Sequence, residues 1–231
     1  MERTRVQVDY RDTIQVFLRR RRLHIPVHDT LNMHRFHYLS WVKNIWIFVD
    51  EKELNPQVVY TCLRTFVLFL AACPPTTTWN ELKWERYACF WIALKVDDVM
   101  SPLTTCVDDF LDMMFEPLPT TPHQRQLLLH AEHAVLSKTN FDITSPNVFA
   151  FLTLLVDMYV SCIPITVLET LRSASYCVDV ITLDPAVVTA AVVHRDHPDV
   201  TPTLTELFAI TAESVHDTCT QLFRAEETLS Q

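Results

Sequence analysis

The sequence predicts an all-α protein, two bundles of about five helices joined near residues 139–145 and preceded by an N-terminal helix. Three observations carry that prediction. Apolar residues recur at spacings of three and four along most of the chain, and no sustained alternation marks a sheet. Prolines stand at the openings of new apolar runs, often just after asparagine, serine, threonine or aspartate, as they do where helices begin. The chain has no glycine at all in 231 residues, where ordinary usage near 7% would give roughly 16. Glycine loops that cradle phosphates are thereby excluded, with the P-loop and the Rossmann fingerprint, and the tight turns of hairpins are disfavoured.

The elements follow in order. A first helix is predicted over residues 10–23, with Ile14, Phe17 and Leu18 on one side. A second covers 31–49 and carries Phe36, Leu39, Trp41, Val42, Ile45 and Trp46. Asn55-Pro56 opens a third that runs to about residue 72, where Cys73-Pro74-Pro75 stops it. After a threonine loop, Asn80 is the expected N-cap of a helix over 84–98. Ser101-Pro102 starts a short helix through 114, and Pro117, Pro119 and Pro122 break the chain before a helix over 124–138. In the second bundle Ser145-Pro146 opens 147–160, Pro164 opens 166–180 and Asp184-Pro185 opens 186–193. Thr201-Pro202 opens 203–210, and a helix over 213–226 closes the chain. The run from Tyr87 to Leu94 has no polar face, so its helix is expected at the centre of the first bundle.

The net charge is −9 and the isoelectric point near 5.5, so no direct nucleic acid binding is expected. Arg19, Arg20, Arg21 and Arg22 run against that balance. They read as a solvated helix end, as a nuclear import signal, or as a contact for an acidic partner. The seven cysteines are scattered without a CxxC pair, which suits reduced, mostly buried thiols inside a cell. The longest strongly apolar stretches, 66–73 and 87–94, fall far short of a membrane span, and no secretory segment begins the chain. A soluble intracellular protein of nucleus or cytoplasm is the expectation, with no membrane partner.

Enzyme chemistry finds little support. "HRDHPD" brings His194, Asp196, His197 and Asp199 together on paper, with His216 and Asp217 further on, but the spacing matches no HExxH or CxxC zinc site. It is expected as a polar surface loop. The "HRD" within it is no kinase catalytic loop, since the glycine-rich loop and DFG that must accompany it need glycine. No catalytic residue, metal, cofactor or small-molecule substrate is assigned. Trp41, Trp46, Phe66 and Phe69 at helical spacing are expected in the core.

Two charges fit a pure core poorly. Glu132 has Leu128, Leu129, Val135 and Leu136 at its helical neighbour positions, and Lys95 has Trp91 and Ile92 at its own. Either charge alone there would cost several kcal/mol, so each needs water or a partner. Both side chains could snorkel to solvent at the bundle's end, Lys95 also serving the helix dipole, or they could pair and line a surface that receives another protein. Patterning leaves both readings open.

The helix order, "FWIALKVDD" and "HAEHAVLSKTNFDITSPNVFAFL" together resemble the first cyclin box of the cyclin family. In that family the central helix commonly ends in alanine–serine–lysine and two acids; Ala93, Leu94, Lys95, Val96, Asp97 and Asp98 occupy the stretch. Glu132, Leu136, Phe141, Asp142 and Ile143 match the family's fifth helix and its exit, and Arg35 and Trp41 match the arginine and tryptophan of its first. The resemblance implies tandem five-helix cyclin boxes: an N-terminal helix and linker over 1–30, a first box over 31–144, and a second, trimmed box over 145–231. It also implies a cyclin-dependent protein kinase as partner, bound through Lys95 and Glu132 with Leu136, Phe141 and Ile143 as apolar contacts. The implied activity is regulatory: the kinase is held in its active conformation, and no chemistry is done by this chain. A cyclin-fold adaptor or transcription-complex component that binds without activating is the alternative.

Departures from the family pattern are specific. Ser40 stands where most cell-cycle cyclins have aspartate, which removes an internal ion pair with arginine, and "CLRTFVLFLAA" lacks an asp–arg pair. The family's substrate-docking patch would here be lined by His34, His37, Tyr38 and Trp41, bulkier and more polar than the usual aliphatic groove. Such drift resembles a fast-evolving or virus-encoded member.

Overall fold

A computed structural model describes residues 10–20, 25–26, 28–97, 106–115, 119–143, 145–159 and 165–229. Among the described residues the protein is helical throughout, with no β-strand. Helix α1 is Tyr10–Arg20, α2 Asp29–Met33, α3 Arg35–Glu51, α4 Gln57–Ala71, α5 Lys83–Asp97, α6 Val107–Phe115 and α7 Pro122–Lys138. The second half contains α8 Val148–Tyr159, α9 Ile165–Ser175, α10 Val178–Thr182, α11 Pro185–Asp196, a short 3-10 turn Pro198–Val200, α12 Thr201–Phe208 and α13 Ala212–Leu229. No helix among the described residues is long and apolar enough to cross a membrane.

Helix starts are set by short polar residues and proline. Thr121 caps α7 by accepting from the Gln124 N–H at 3.3 Å, and the Gln124 side chain accepts from the Thr121 N–H at 2.8 Å, with Pro122 in the first turn. Asp184 caps α11 through the Ala186 N–H at 3.0 Å, just before Pro185. Asn147 accepts from the Ala150 N–H at 3.1 Å, and its amide donates to Thr61 of α4 at 2.7 Å. Helix ends show how a chain without glycine turns. Glu53, Asn140, Phe141 and Ala209 adopt left-handed backbone angles just after α3, α7 and α12, positions where glycine is the usual occupant.

The sequence-predicted boundaries need several corrections. The helix over 31–49 is two helices, α2 and α3, parted at His34, whose backbone (φ −115°, ψ 32°) leaves the helical region. The helix over 166–180 is likewise two, α9 and α10, parted at Tyr176 and at Cys177, which is extended. No proline or glycine marks either break. Helix α11 is longer than expected, with twelve residues where 186–193 was predicted. The predicted helix start at Ser101-Pro102, Asp98, Arg21, Arg22 and Cys162 lie outside the described residues; the other six cysteines are free thiols.

One buried cluster runs through both halves. Every residue from Ala88 to Leu94 of α5 is buried, against α4 and α7 and against Phe48 of α3 and Phe110 of α6. Helix α11 plays the same part in the second half, touching α8, α9, α12 and α13. The halves are joined by polar groups reaching across. Tyr38 and Tyr60 hydroxyls donate to the Ser175 and Leu171 carbonyls at 3.0 and 2.7 Å, and the Trp46 indole donates to the Ser175 hydroxyl at 2.8 Å. Arg64 donates to the Ile181 and Leu183 carbonyls at 3.2 and 3.0 Å. Helix α1 packs on the second half, against α8 and α12, with Ile14 buried and Phe17 edge-on to Phe151.

Candidate functional site

The last turn of α5 and the middle of α7 lie side by side, and this brings Lys95 to Glu132. The Lys95 ammonium donates to Oε1 of Glu132, forming an ion pair whose side chains are 36% and 14% exposed. Trp91, one turn before Lys95, donates its indole N–H to Oε2 of the same carboxylate at 3.1 Å. The ammonium also lies 5.0 Å from the Trp91 ring centre. The Trp91 ring is itself buried and tilted against Phe110 at 5.1 Å. Both carboxylate oxygens are therefore held, one by charge and one by a fixed indole. The pair is neither sealed in the core nor separated by solvent.

Such a pair contributes little to folding, because water screens a lysine this exposed and two long side chains lose freedom to meet. What it supplies is a fixed donor and acceptor at the edge of an apolar surface. Val96 and Leu129, beside the two charges on their own helices, are exposed. Leu136 and Ile143 are half-buried, and Phe141 is 63% exposed at the end of α7. The Phe141 N–H donates to the Leu136 carbonyl at 2.8 Å, which fixes the exit of the helix. Asp97, the first of the two acids after Lys95, accepts from the Gln57 side chain at 2.7 Å. Sequence reasoning named Trp91 only as an apolar neighbour and missed its bond to Glu132. The signal was available: a buried indole N–H needs an acceptor, and Glu132 was a carboxylate in an apolar setting that needed a donor.

The second candidate surface is assembled differently from the expectation. His34 is half-buried and His37 exposed, with ring centres 5.6 Å apart. Tyr38 does not line that surface: it is 0% exposed, and its hydroxyl is spent on Ser175. Trp41 is half-buried against Phe66 and Trp79 at 4.8 and 6.1 Å. Arg86 stacks on Trp79 at 4.1 Å, and burial pushes its pKa down to about 10. The exposed apolar residues of this corner are Met33 and Phe36, the latter 88% exposed. Arg35 and Ser40 are exposed as well.

The "HRDHPD" segment is the last turn of α11 followed by the 3-10 turn, not a loop. His194 is bonded to Thr201, Asp196 accepts from Thr166 at 2.6 Å, and Arg195 donates to Thr170 at 3.1 Å. Among the described residues no group of three or more histidines, cysteines or carboxylates could hold a metal ion. No family model matches the chain, and no curated protein matches it.

Proposed function

We propose that this chain is a cyclin-like regulatory subunit that binds a cyclin-dependent protein kinase and stabilises its active conformation. The observation that carries the reading is the Lys95–Glu132 pair, oriented by Trp91 and half open at the edge of the first half. In this reading the first box comprises α3–α7 within residues 31–144. The second comprises α8–α13 within 145–231, and α1 is the N-terminal helix. The central positions of α5 and α11 support that division.

The mechanism is a population shift. A kinase whose mobile helix samples inward and outward positions is drawn inward if the subunit binds the inward form more tightly. Lys95 and Glu132 would bond the mobile helix, with Leu136, Phe141 and Ile143 packing on its apolar side. Held inward, that helix completes the kinase's own lysine–glutamate pair and orders its activation segment. The subunit supplies no catalytic group of its own, and it acts in the nucleus or cytoplasm beside its kinase. The test is the double substitution Lys95→Ala with Glu132→Ala. It is expected to remove on the order of 2–5 kcal/mol of binding and to abolish kinase co-purification, with helical content by circular dichroism intact. Kinase retained by that double variant would overturn the assignment.

One observation favours a second reading, an adaptor that binds without activating or recruiting substrates. Tyr38 lies in the core and Trp41 is packed on Phe66 and Trp79, so no open aliphatic groove is left between them. A histone phosphorylation assay on the purified complex separates the two: binding with activity supports the regulatory subunit, binding without it the adaptor.

A further inference from the structure

We infer that Thr121 is a phosphorylation site for a proline-directed protein kinase, and that a phosphate there loosens α6 from the start of α7. The inference lies outside the regulatory-subunit reading and does not rest on it. Four residues of the sequence carry a hydroxyl directly before a proline: Ser101, Thr121, Ser145 and Thr201. Ser101 lies outside the described residues. Ser145 is half-buried and its hydroxyl donates to Oδ1 of Asp142 at 2.9 Å. Thr201 is half-buried too, its hydroxyl bonded to Nδ1 of His194. Thr121 alone of these three is exposed, as are Pro119, Pro122 and His123 around it. Pro122 holds its backbone extended (φ −97°, ψ 151°), so the dipeptide is presented as a strand and not within a helical turn.

In the transfer, Oγ1 of Thr121 bonds to the γ-phosphorus of ATP and the bond from that phosphorus to the β–γ bridging oxygen breaks. ADP leaves, and the hydroxyl proton passes to the kinase's catalytic base. The hydroxyl gives up its donation to Oε1 of Gln124, 2.9 Å away, whereas the Gln124 N–H still finds an acceptor in the phosphate oxygens. What changes is charge. The phosphate adds roughly 1.5 to 2 negative charges beside two carboxylates of α6. Asp112 accepts from the Thr120 N–H at 2.9 Å, and Asp108 is paired with Arg125 at 3.0 Å. These two contacts tie α6 to the start of α7. Arg125 stands four residues after Thr121 and so on the same face of the helix. A dianion at Thr121 therefore draws Arg125 from Asp108 and repels Asp112, and both ties weaken together. The effect reaches toward the candidate site, because Phe110 of α6 is buried against Trp91, whose indole bonds Glu132.

The experiment incubates the full chain with magnesium, ATP and a purified mitogen-activated protein kinase, which is proline-directed and needs no cyclin. The phosphate is mapped by tandem mass spectrometry. Thr121 is expected to take most of it, and Thr121→Ala to lower incorporation about ten-fold, the loss expected when one site accepts most of the label. Thr121→Ser should restore incorporation, whereas Pro122→Ala, which keeps the hydroxyl, should lose it. Circular dichroism of each variant checks that the helices persist without the cap or the proline. In the phosphorylated chain, amide hydrogen exchange in α6 should run about three-fold faster, the size of a lost surface ion pair, with α11 unchanged. Phosphate placed mainly on another residue, no incorporation into the folded chain, or α6 exchange indifferent to phosphate on Thr121 overturns the inference. The kinase used here is not the partner proposed above, so this result and the co-purification result fail separately.

Discussion

Helices α5 and α11 hold the same position in the two halves, each buried among its neighbours, yet their last turns do different things. At the end of α5, Lys95 meets a carboxylate from α7 and stays partly open to water. At the end of α11, Arg195 lies 5.4 Å from the Phe223 ring and donates to Thr170 of α9, both in the second half. Their cores differ in kind as well. Helix α5 fills its surroundings with Phe90, Trp91, Ile92 and Leu94, whereas α11 offers Ala186, Val188, Thr189, Ala190, Ala191 and Val192. A central helix can be buried through bulk or through close approach. The helix built with bulk carries the Lys95–Glu132 pair at its end.

Alkali should press on that difference hardest. Burial pushes the Tyr38, Tyr60, Cys62 and Cys89 pKa values up, all of them in the first half. In the second half Cys219, Cys177 and Tyr176 are shifted upward too, and of these Cys219 alone is buried, the others half-buried. With folded values above unfolded ones, stability is intact below about pH 8.5 and falls as the unfolded thiols and phenols, near 8.5 and 10, ionise first. Denaturant titrations across pH measure it, and Cys62→Ala with Cys89→Ala should flatten the slope. A slope left unchanged would place the alkaline weakness elsewhere.

Phe90→Ala is next in size, expected to cost about 3–5 kcal/mol, against about 2 kcal/mol for Val188→Ala in α11. Equal costs would end the distinction between bulk and close approach. The smallest effect tests whether the halves unfold as one. All five tryptophans lie in the first half, so fluorescence reports that half and circular dichroism both. In the native protein the two signals should coincide. Arg64→Met strips the Ile181 and Leu183 carbonyls of their donor, at a cost of about 2–3 kcal/mol, and should make the two transitions part. Coincident curves in that variant would assign the coupling to apolar packing instead.

Much of this was legible before any coordinate. Pro56, Pro122 and Pro185 fall at or next to helix starts, and the unbroken apolar run before Lys95 is the central helix, because fixed φ and all-round hydrophobicity are local properties. The meeting of Lys95 with Glu132 was half legible: two charges in apolar settings each required water or a partner, and patterning left both open. The breaks at His34 and Cys177 were not legible, nor was the inward turn of Tyr38. The turn of Tyr38 depends on a residue far off in the chain, Ser175, whose carbonyl and hydroxyl serve Tyr38 and Trp46. A backbone carbonyl that will accept from a distant tyrosine leaves no mark on sequence periodicity.

The left-handed step at Asn140 and Phe141 has a consequence for recognition. A flexible loop carrying the same ring would have to be ordered by whatever binds it, and every complex would be weakened accordingly. Here the backbone that carries the ring is already set, by left-handed angles at both residues. For the kinase contact proposed above, only the rotamers of the ring would remain to be ordered.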